Sequence, residues 1–246
     1  MARVAVILPA AGKSSRFHDR EKKPFATLDG RAVWLRTAEL FVTRDDVART
    51  YVVVSPDDDE MFRRRYAANL AFLDVTIVVG GKERFESVAN ALAVIPDDVD
   101  LVAVHDAVRP CVTTAQIDAV FAKAAQTGAA MLAVPVAETV KRAAKDQTVK
   151  ETVPREHLWL AQTPQAFRRD WLVAAYAQRG KLGSAITDDA QLIEAAGHPV
   201  HLVPGAQTNL KITTRDDLAL AAAILASAPK PKEKRPHHPF ADEAQW

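Results

Sequence analysis

Five cations, Lys13, Arg16, Arg20, Lys22 and Lys23, fall within eleven residues, just after the apolar run Val4 to Leu8. They directly follow a small-residue stretch, Pro9-Ala10-Ala11-Gly12, along which a backbone can approach a ligand closely. Positive charge gathered there suits a phosphate-rich small molecule; a solvated surface loop is the equal alternative from composition alone. Gly12-Lys13-Ser14 imitates the end of a phosphate-binding P-loop, but the glycine that motif needs five residues earlier is Ile7. The Gly-x-Gly-x-x-Gly dinucleotide fingerprint is absent as well.

Further candidates lie downstream. Asp106 follows the apolar run Leu101 to Val104. A carboxylate at a strand's carboxyl end can hold Mg²⁺ with only one or two protein ligands. It can also cap the turn before Pro110, and the metal reading is preferred. Arg84 and Ser87 share a face near a helix start, behind Gly80-Gly81, and a bridge from Arg84 to Glu83 or Glu86 is the weaker reading. Lys211 sits between Asn209 and Thr213, just before a capped helix. His105 is read as packing beside Asp106, since Mg²⁺ prefers oxygen. No Ser-His-Asp or Cys-His constellation suggests itself.

These residues need a rigid frame. Val4 to Leu8, Tyr51 to Val54, Val75 to Val79, Leu101 to Val104 and Met131 to Val136 read as strands apolar on both faces. Helical patterns alternate with them at Ala32 to Val42, Asp58 to Leu70, Arg84 to Ile95 and Thr114 to Thr127. In the third, Phe85, Val88, Ala89 and Leu92 make the stripe expected to face the sheet. This order predicts an α/β fold with a doubly wound, mostly parallel, Rossmann-like sheet. Residues 137–162 are too polar and too long for a plain connection and read as a protruding arm, a hairpin that needs a partner to bury Val140, Val149 and Val153. Helices are expected near Arg169 to Gln178 and Asp188 to Ala196, a strand at Val200 to Val203 and an extended piece at Leu210 to Thr213. A last helix is expected to about Ser227, N-capped by Thr214 with Asp216 and Asp217 in its first turn. Residues 1–228 form one domain, and 229–246 read as a flexible Pro/Lys-rich tail.

Composition bounds the function. The 246 residues are 48% hydrophobic and 26% charged, as in an ordinary globular chain, and the formal net charge is +1. No global field exists to hold a polyanion, so nucleic acid is not an expected partner and basic chemistry must be local. No apolar run approaches a membrane span, the N-terminal run lacks a signal-peptide pattern, and the single Cys111 fits a reducing compartment; a cytoplasmic protein is expected.

Six motifs in register then carry a resemblance: Pro9-Ala10-Ala11-Gly12-x-x-x-Arg16, Gly80-Gly81-x-x-Arg84-x-x-Ser87-Val88, His105-Asp106-Ala107-Val108-Arg109-Pro110, Thr163-Pro164-Gln165, Thr187-Asp188 and Asn209-Leu210-Lys211-Ile212-Thr213. From about Arg3 to Leu225 the chain resembles the 2-C-methyl-D-erythritol 4-phosphate cytidylyltransferases. The resemblance implies a nucleotidyltransferase-type fold, CTP and a polyol phosphate as substrates, Mg²⁺ as cofactor, and a homodimer through the 137–162 arm. It implies catalytic roles for Arg16, Lys23 and Lys211. Pro9, Ala10, Ala11, Gly12, Gly81, Lys82, Ser87, Asp106 and Ala107 are implied nucleotide-binding positions. Arg109, Thr139, Arg155, Thr187 and Lys211 would hold the acceptor, with Thr139 and Arg155 supplied by a neighbouring subunit, and Asp106 would hold metal. The family usually reads Pro-Lys-Gln-Tyr/Phe where this chain has Lys22-Lys23-Pro24-Phe25, so Lys22 could share the role of Lys23. Many relatives carry an acid where this chain has Thr208, so no second metal ligand is expected there. The nucleophile is a phosphate monoester with a second pKa of about 6, so no protein base is needed. The task is to hold two anions in line and stabilise the charge that develops. A ribitol 5-phosphate cytidylyltransferase or a non-catalytic nucleotide-binding homologue are the alternatives.

Overall fold

The computed structural model describes residues 2–12, 17, 21–181 and 186–227. Strand β1 (Val4–Pro9) lies in the interior of a seven-stranded sheet. On one side stand β4 (Val47–Val54) and β5 (Val75–Val79); on the other stand β6 (Leu101–Val104), β10 (Trp159–Arg168), β7 (Ala129–Pro135) and β11 (His201–Pro204). β10 runs antiparallel to both of its neighbours, and the other pairings are parallel. The small pairs β2 (Thr27–Leu28) with β3 (Arg31–Ala32), and β8 (Val140–Ala143) with β9 (Val149–Val153), lie outside this sheet.

Side chains alternate across the strands, and each face is covered. Val4, Val6 and Leu8 pack beneath α1 (Val33–Val42), α2 (Asp59–Arg65) and α5 (Thr114–Thr127). Ala5 and Ile7 face α4 (Arg84–Leu92), α6 (Arg169–Ala177) and α7 (Ala190–Ala195). A third cluster joins Phe17, Leu28 and Val108 to Ile212 and α8 (Arg215–Ser227).

Several sequence expectations are corrected. The helix read over Asp58 to Leu70 is a 3₁₀ turn (Pro56–Asp58), then α2, then α3 (Ala67–Phe72), with Tyr66 between them. In α4 it is Ala91, not Ala89, that joins Val88 and Leu92 in the buried stripe, and Phe85 is only half-buried. The segment Leu210 to Thr213 forms no strand. α8 begins at Arg215 as expected, with Thr214 at the N-cap and Asp216 and Asp217 in the first turn, and the Asp217 carboxylate accepts from the backbone N–H groups of Thr213 and Thr214, both at 2.8 Å. The largest difference is β10. The arm is shorter than 137–162, because Trp159 to Ala161 already pair with β7 in the main sheet. The 229–246 tail lies outside the described residues, as do Lys13, Arg16 and Arg20.

Candidate active site

β1, β4, β5 and β6 end along one edge of the sheet, and the loops that follow them surround an open cavity of about 780 Å³. This is where open α/β sheets bind ligands. Pro9, Ala10, Ala11 and Gly12 line it from the end of β1 and the loop after it; Gly81 and Lys82 from the β5–α4 loop; Arg84 and Ser87 from the first turn of α4; Asp106 from just past β6. Lys22, Lys23 and Pro24 close one rim and Lys211 another. The main-chain N–H of Ala10 donates to Val53 O at 2.7 Å, which holds the β1 loop against β4.

The β5–α4 loop requires glycine for close approach. A Cβ on Gly80 would stand 2.6 Å from Ser87 Oγ, and one on Gly81 would stand 2.3 Å from Glu86 Cβ. Gly81 N–H donates to Ser87 Oγ at 3.2 Å, and that hydroxyl donates to Glu83 O at 3.2 Å. Glu83 and Glu86 form a reciprocal capping box at the start of α4. Neither acid is the partner of Arg84. Arg84 reaches Asp189 at 2.7 Å, and Tyr176 donates its hydroxyl to the same carboxylate at 2.5 Å. Burial pushes the Tyr176 hydroxyl far above its usual range, and the Asp189 charge adds to that.

Asp106 is the electrostatic centre. Lys211 Nζ and Arg109 Nε both lie 3.1 Å from its Oδ2. Burial alone would raise its pKa, but Lys211, Arg109 and Arg84 outweigh this and hold the carboxyl well below the usual carboxylate range. It is a permanently charged hard-oxygen donor. Among the described residues no group of three or more His, Cys, Asp and Glu side chains could hold a metal alone. The residues present fit Mg²⁺ in the one-carboxylate manner, in which substrate phosphates complete the coordination.

At the lysine rim, Lys22 Nζ pairs with Asp58 at 2.5 Å, and Ser55 donates to the same Asp58 oxygen at 2.5 Å. Lys23 opens a 3₁₀ turn (Lys23–Phe25) whose Pro24 and Phe25 are buried. Phe25 meets Phe62 at a tilt, ring centres 5.8 Å apart, and Phe62 also meets Trp34 and Tyr66. Pro24 sits within the first turn of that 3₁₀ helix, where its fixed φ is accommodated.

Other expected positions lie elsewhere. Ala107 is buried with its carbonyl on Thr37 Oγ1 at 3.0 Å. Arg109 donates to Asp106 and, at 2.7 Å, to Asn209 O, so it braces the cavity wall. Thr187 is exposed beside α7, its N–H on Gln191 Oε1 at 3.0 Å. Thr139 and Arg155 are exposed on the arm, away from the cavity lining of their own chain, and Arg155 donates to Ala137 O. Arg16 lies outside the described residues.

Residues 4–227 match the family described as 2-C-methyl-D-erythritol 4-phosphate cytidylyltransferase. The chain belongs to this family. It is 44% identical over 236 residues to the 2-C-methyl-D-erythritol 4-phosphate cytidylyltransferase of Rhodopirellula baltica, covering 91% of this chain and 95% of that one. It is 41% identical to the enzyme of the same description from Pelotomaculum thermopropionicum, covering 92% and 95%. The crystal structure of the Thermus thermophilus enzyme of that description superimposes with a TM-score of 0.76 at 34% identity, over 91% of this chain and 99% of that one.

In this cytidylyltransferase some functional neighbours had no sequence signal. Asp189, which Tyr176 also holds, reaches Arg84 from 105 residues away, and Asp58 reaches Lys22 from 36 residues away. Two acids in Asp188-Asp189 beside Thr187 were visible, but which one faces inward was not. Among the described residues no helix is long and apolar enough to cross a membrane.

Proposed function

We propose that the chain transfers the cytidylyl group of CTP to the phosphate of 2-C-methyl-D-erythritol 4-phosphate, giving 4-diphosphocytidyl-2-C-methyl-D-erythritol and pyrophosphate in non-mevalonate isoprenoid precursor synthesis. Family membership supports the reaction. The observation that carries it in this chain is the cavity where the β1 loop, Ser87, Asp106, Lys23 and Lys211 line one space.

The acceptor phosphate is already ionised near neutral pH, so the protein's work is placement and charge. Ala10, Ala11, Gly81 and Ser87 offer close backbone and hydroxyl groups suited to a base that carries both donors and acceptors. Lys23 and Arg16 would meet the triphosphate from the β1 side. Lys211 would meet the incoming phosphate from the opposite rim, and Arg109 would hold Asp106 and support the acceptor side. Preorganised cations of this kind stabilise charge that develops only in the transition state. Asp106 would hold Mg²⁺ together with triphosphate oxygens, and the ion when bound supplies Lewis-acid neutralisation of the α-phosphate and the leaving pyrophosphate.

The arm belongs to the same reading. Val149, Leu158, Trp159 and Leu160 are exposed apolar residues on or next to β8–β9. A homodimer would cover them and bring the arm's Thr139 and Arg155 to the neighbouring subunit's acceptor, which its own Thr187 would also meet. A cytoplasmic location fits a chain with one buried, unpaired cysteine, Cys111.

The test is turnover of CTP with Mg²⁺ and either 2-C-methyl-D-erythritol 4-phosphate or ribitol 5-phosphate. The account expects pyrophosphate release with the first acceptor. Turnover with ribitol 5-phosphate alone would overturn it.

A further inference from the structure

Asp106 and Lys211 meet although 105 positions separate them in the chain, and the contact depends on a third segment. In the middle of β10 the register with β7 shifts between Ala161 and Gln165, around a cis Thr163–Pro164 bond. This leaves Gln162 and Thr163 turned toward the carboxyl edge of β6. Thr163 Oγ1 accepts from Asp106 N–H at 3.0 Å, and Gln162 Nε2 donates to Ala206 O at 2.8 Å.

Asn209 ties the three segments together. Its side chain is wholly buried and does not line the cavity. Its amide nitrogen donates to Thr163 O at 2.9 Å and to Gln162 Oε1 at 3.1 Å. Its main-chain carbonyl accepts from Arg109, whose Nε in turn holds Asp106. Lys211 lies two residues further on and reaches the same Asp106 oxygen. The Asn209 side-chain oxygen has no partner, which is a cost for a buried group. A leucine would fill the space without that cost but would leave Thr163 O without its Asn209 donor. An aspartate would set an acceptor against two acceptors. The two amide donors are therefore what this position supplies.

We propose that Asn209 is a positioning residue for cytidylyl transfer: through Arg109 and the chain that leads to Lys211, it sets the acceptor-side cations on Asp106, so that its loss falls more heavily on use of the acceptor than on CTP binding. The inference rests on the transfer reading above.

The test compares full-length wild type with Asn209→Ala and Asn209→Asp. Wild-type turnover is measured first; its absence would sink the transfer reading itself. CTP affinity and binding stoichiometry come from calorimetry with Mg²⁺, and rates are expressed per CTP-binding site, so that misfolded protein is not counted. Asn209→Ala should lose about tenfold to a hundredfold in kcat/KM for the acceptor, the size expected when buried partners lose a donor and reacting groups shift. Its CTP affinity should fall by much less than its kcat/KM for the acceptor. In Asn209→Asp the introduced carboxyl can donate one hydrogen bond only when protonated. The ratio of its kcat/KM to that of wild type should therefore rise as pH falls from about 8.5 to 6, in the direction burial gives a carboxyl. This pH arm decides the matter if Asn209→Ala does not fold. Wild-type acceptor kinetics per site, an equal loss in CTP affinity, or a pH-independent ratio would each overturn the proposal.

Discussion

Lys22 and Lys23 are neighbours in sequence with different surroundings. Lys22 is held by Asp58 and Ser55 at the cavity rim. Lys23 begins the turn anchored by Phe25; nearby, burial would raise the Asp217 carboxyl, but hydrogen bonds from Thr214 and Thr213, with a smaller part from the Lys23 charge, hold it below its usual range. On the proposed reading Lys23 is the triphosphate contact, and Lys22, paired with Asp58, braces the rim. Lys22→Ala and Asp58→Asn should each lower turnover by less than about tenfold, and the double variant should be no worse than either alone, because both act through one ion pair. Additive losses in initial rate would instead put Lys22 on the nucleotide. His105 is a second residue with a defined outcome. It is fully buried, packs on Phe41, and meets Arg109 O through Nε2 at 3.1 Å. Burial pulls its pKa down from 6.5 to about 4, although the hydrogen bond to Arg109 and the charge of Asp106 oppose that. The unfolded chain therefore binds a proton before the folded one does. Stability should fall as pH drops from 6.5 toward 4, by about 3 kcal/mol over that window. Urea unfolding of His105→Asn should show a flatter decline; an unchanged slope would contradict the assignment. Residues of this kind differ in how far sequence shows them. Asp106 and the Ala10-Ala11-Gly12 loop stand directly after apolar runs, so their place on a sheet edge was legible. Asn209, Asp189 and Asp58 act through buried partners on distant segments, and no local pattern encodes those pairings.

At the scale of elements, the runs buried on both faces were read as strands because β-branched residues dominate them. β10 was not. It carries Gln162, Thr163, Pro164 and Gln165, and a proline normally argues against an interior strand. Here the register shift accommodates it, and the polar side chains are satisfied by Asn209, Ala190 N–H and Asp188. Helix α5 was legible to the residue, because Thr113 and Gln116 form a capping box and Gly128 ends it in the left-handed region at φ 90°. A Cβ there would also stand 2.4 Å from the Trp171 ring. Gly128→Ala should cost at least about 1 kcal/mol, seen as a lower urea midpoint, since the backbone and the ring object together. An unchanged midpoint would show that Trp171 moves freely. The β8–β9 hairpin makes a prediction of its own. Replacing residues 140–153 by a short turn should yield a monomer by sedimentation velocity, with CTP binding retained and acceptor turnover lost. A dimer with normal acceptor kinetics would contradict the role given to the arm.

The whole molecule is nearly neutral, with 32 basic and 31 acidic residues. Its cations therefore act by position, not by a general field, and the sheet supplies the positions by ending β1, β4, β5 and β6 along one edge. Local charge of this type can favour the transition state over bound substrate. The most direct measurement is pyrophosphate release by wild type and by Lys23→Ala, with CTP affinity measured on the same samples by calorimetry. The account predicts one pyrophosphate per acceptor consumed by wild type, and a loss of about a hundredfold to a thousandfold in turnover for Lys23→Ala with much smaller loss of CTP binding. Equal turnover in the two proteins, or a loss wholly explained by weaker CTP binding, would contradict it.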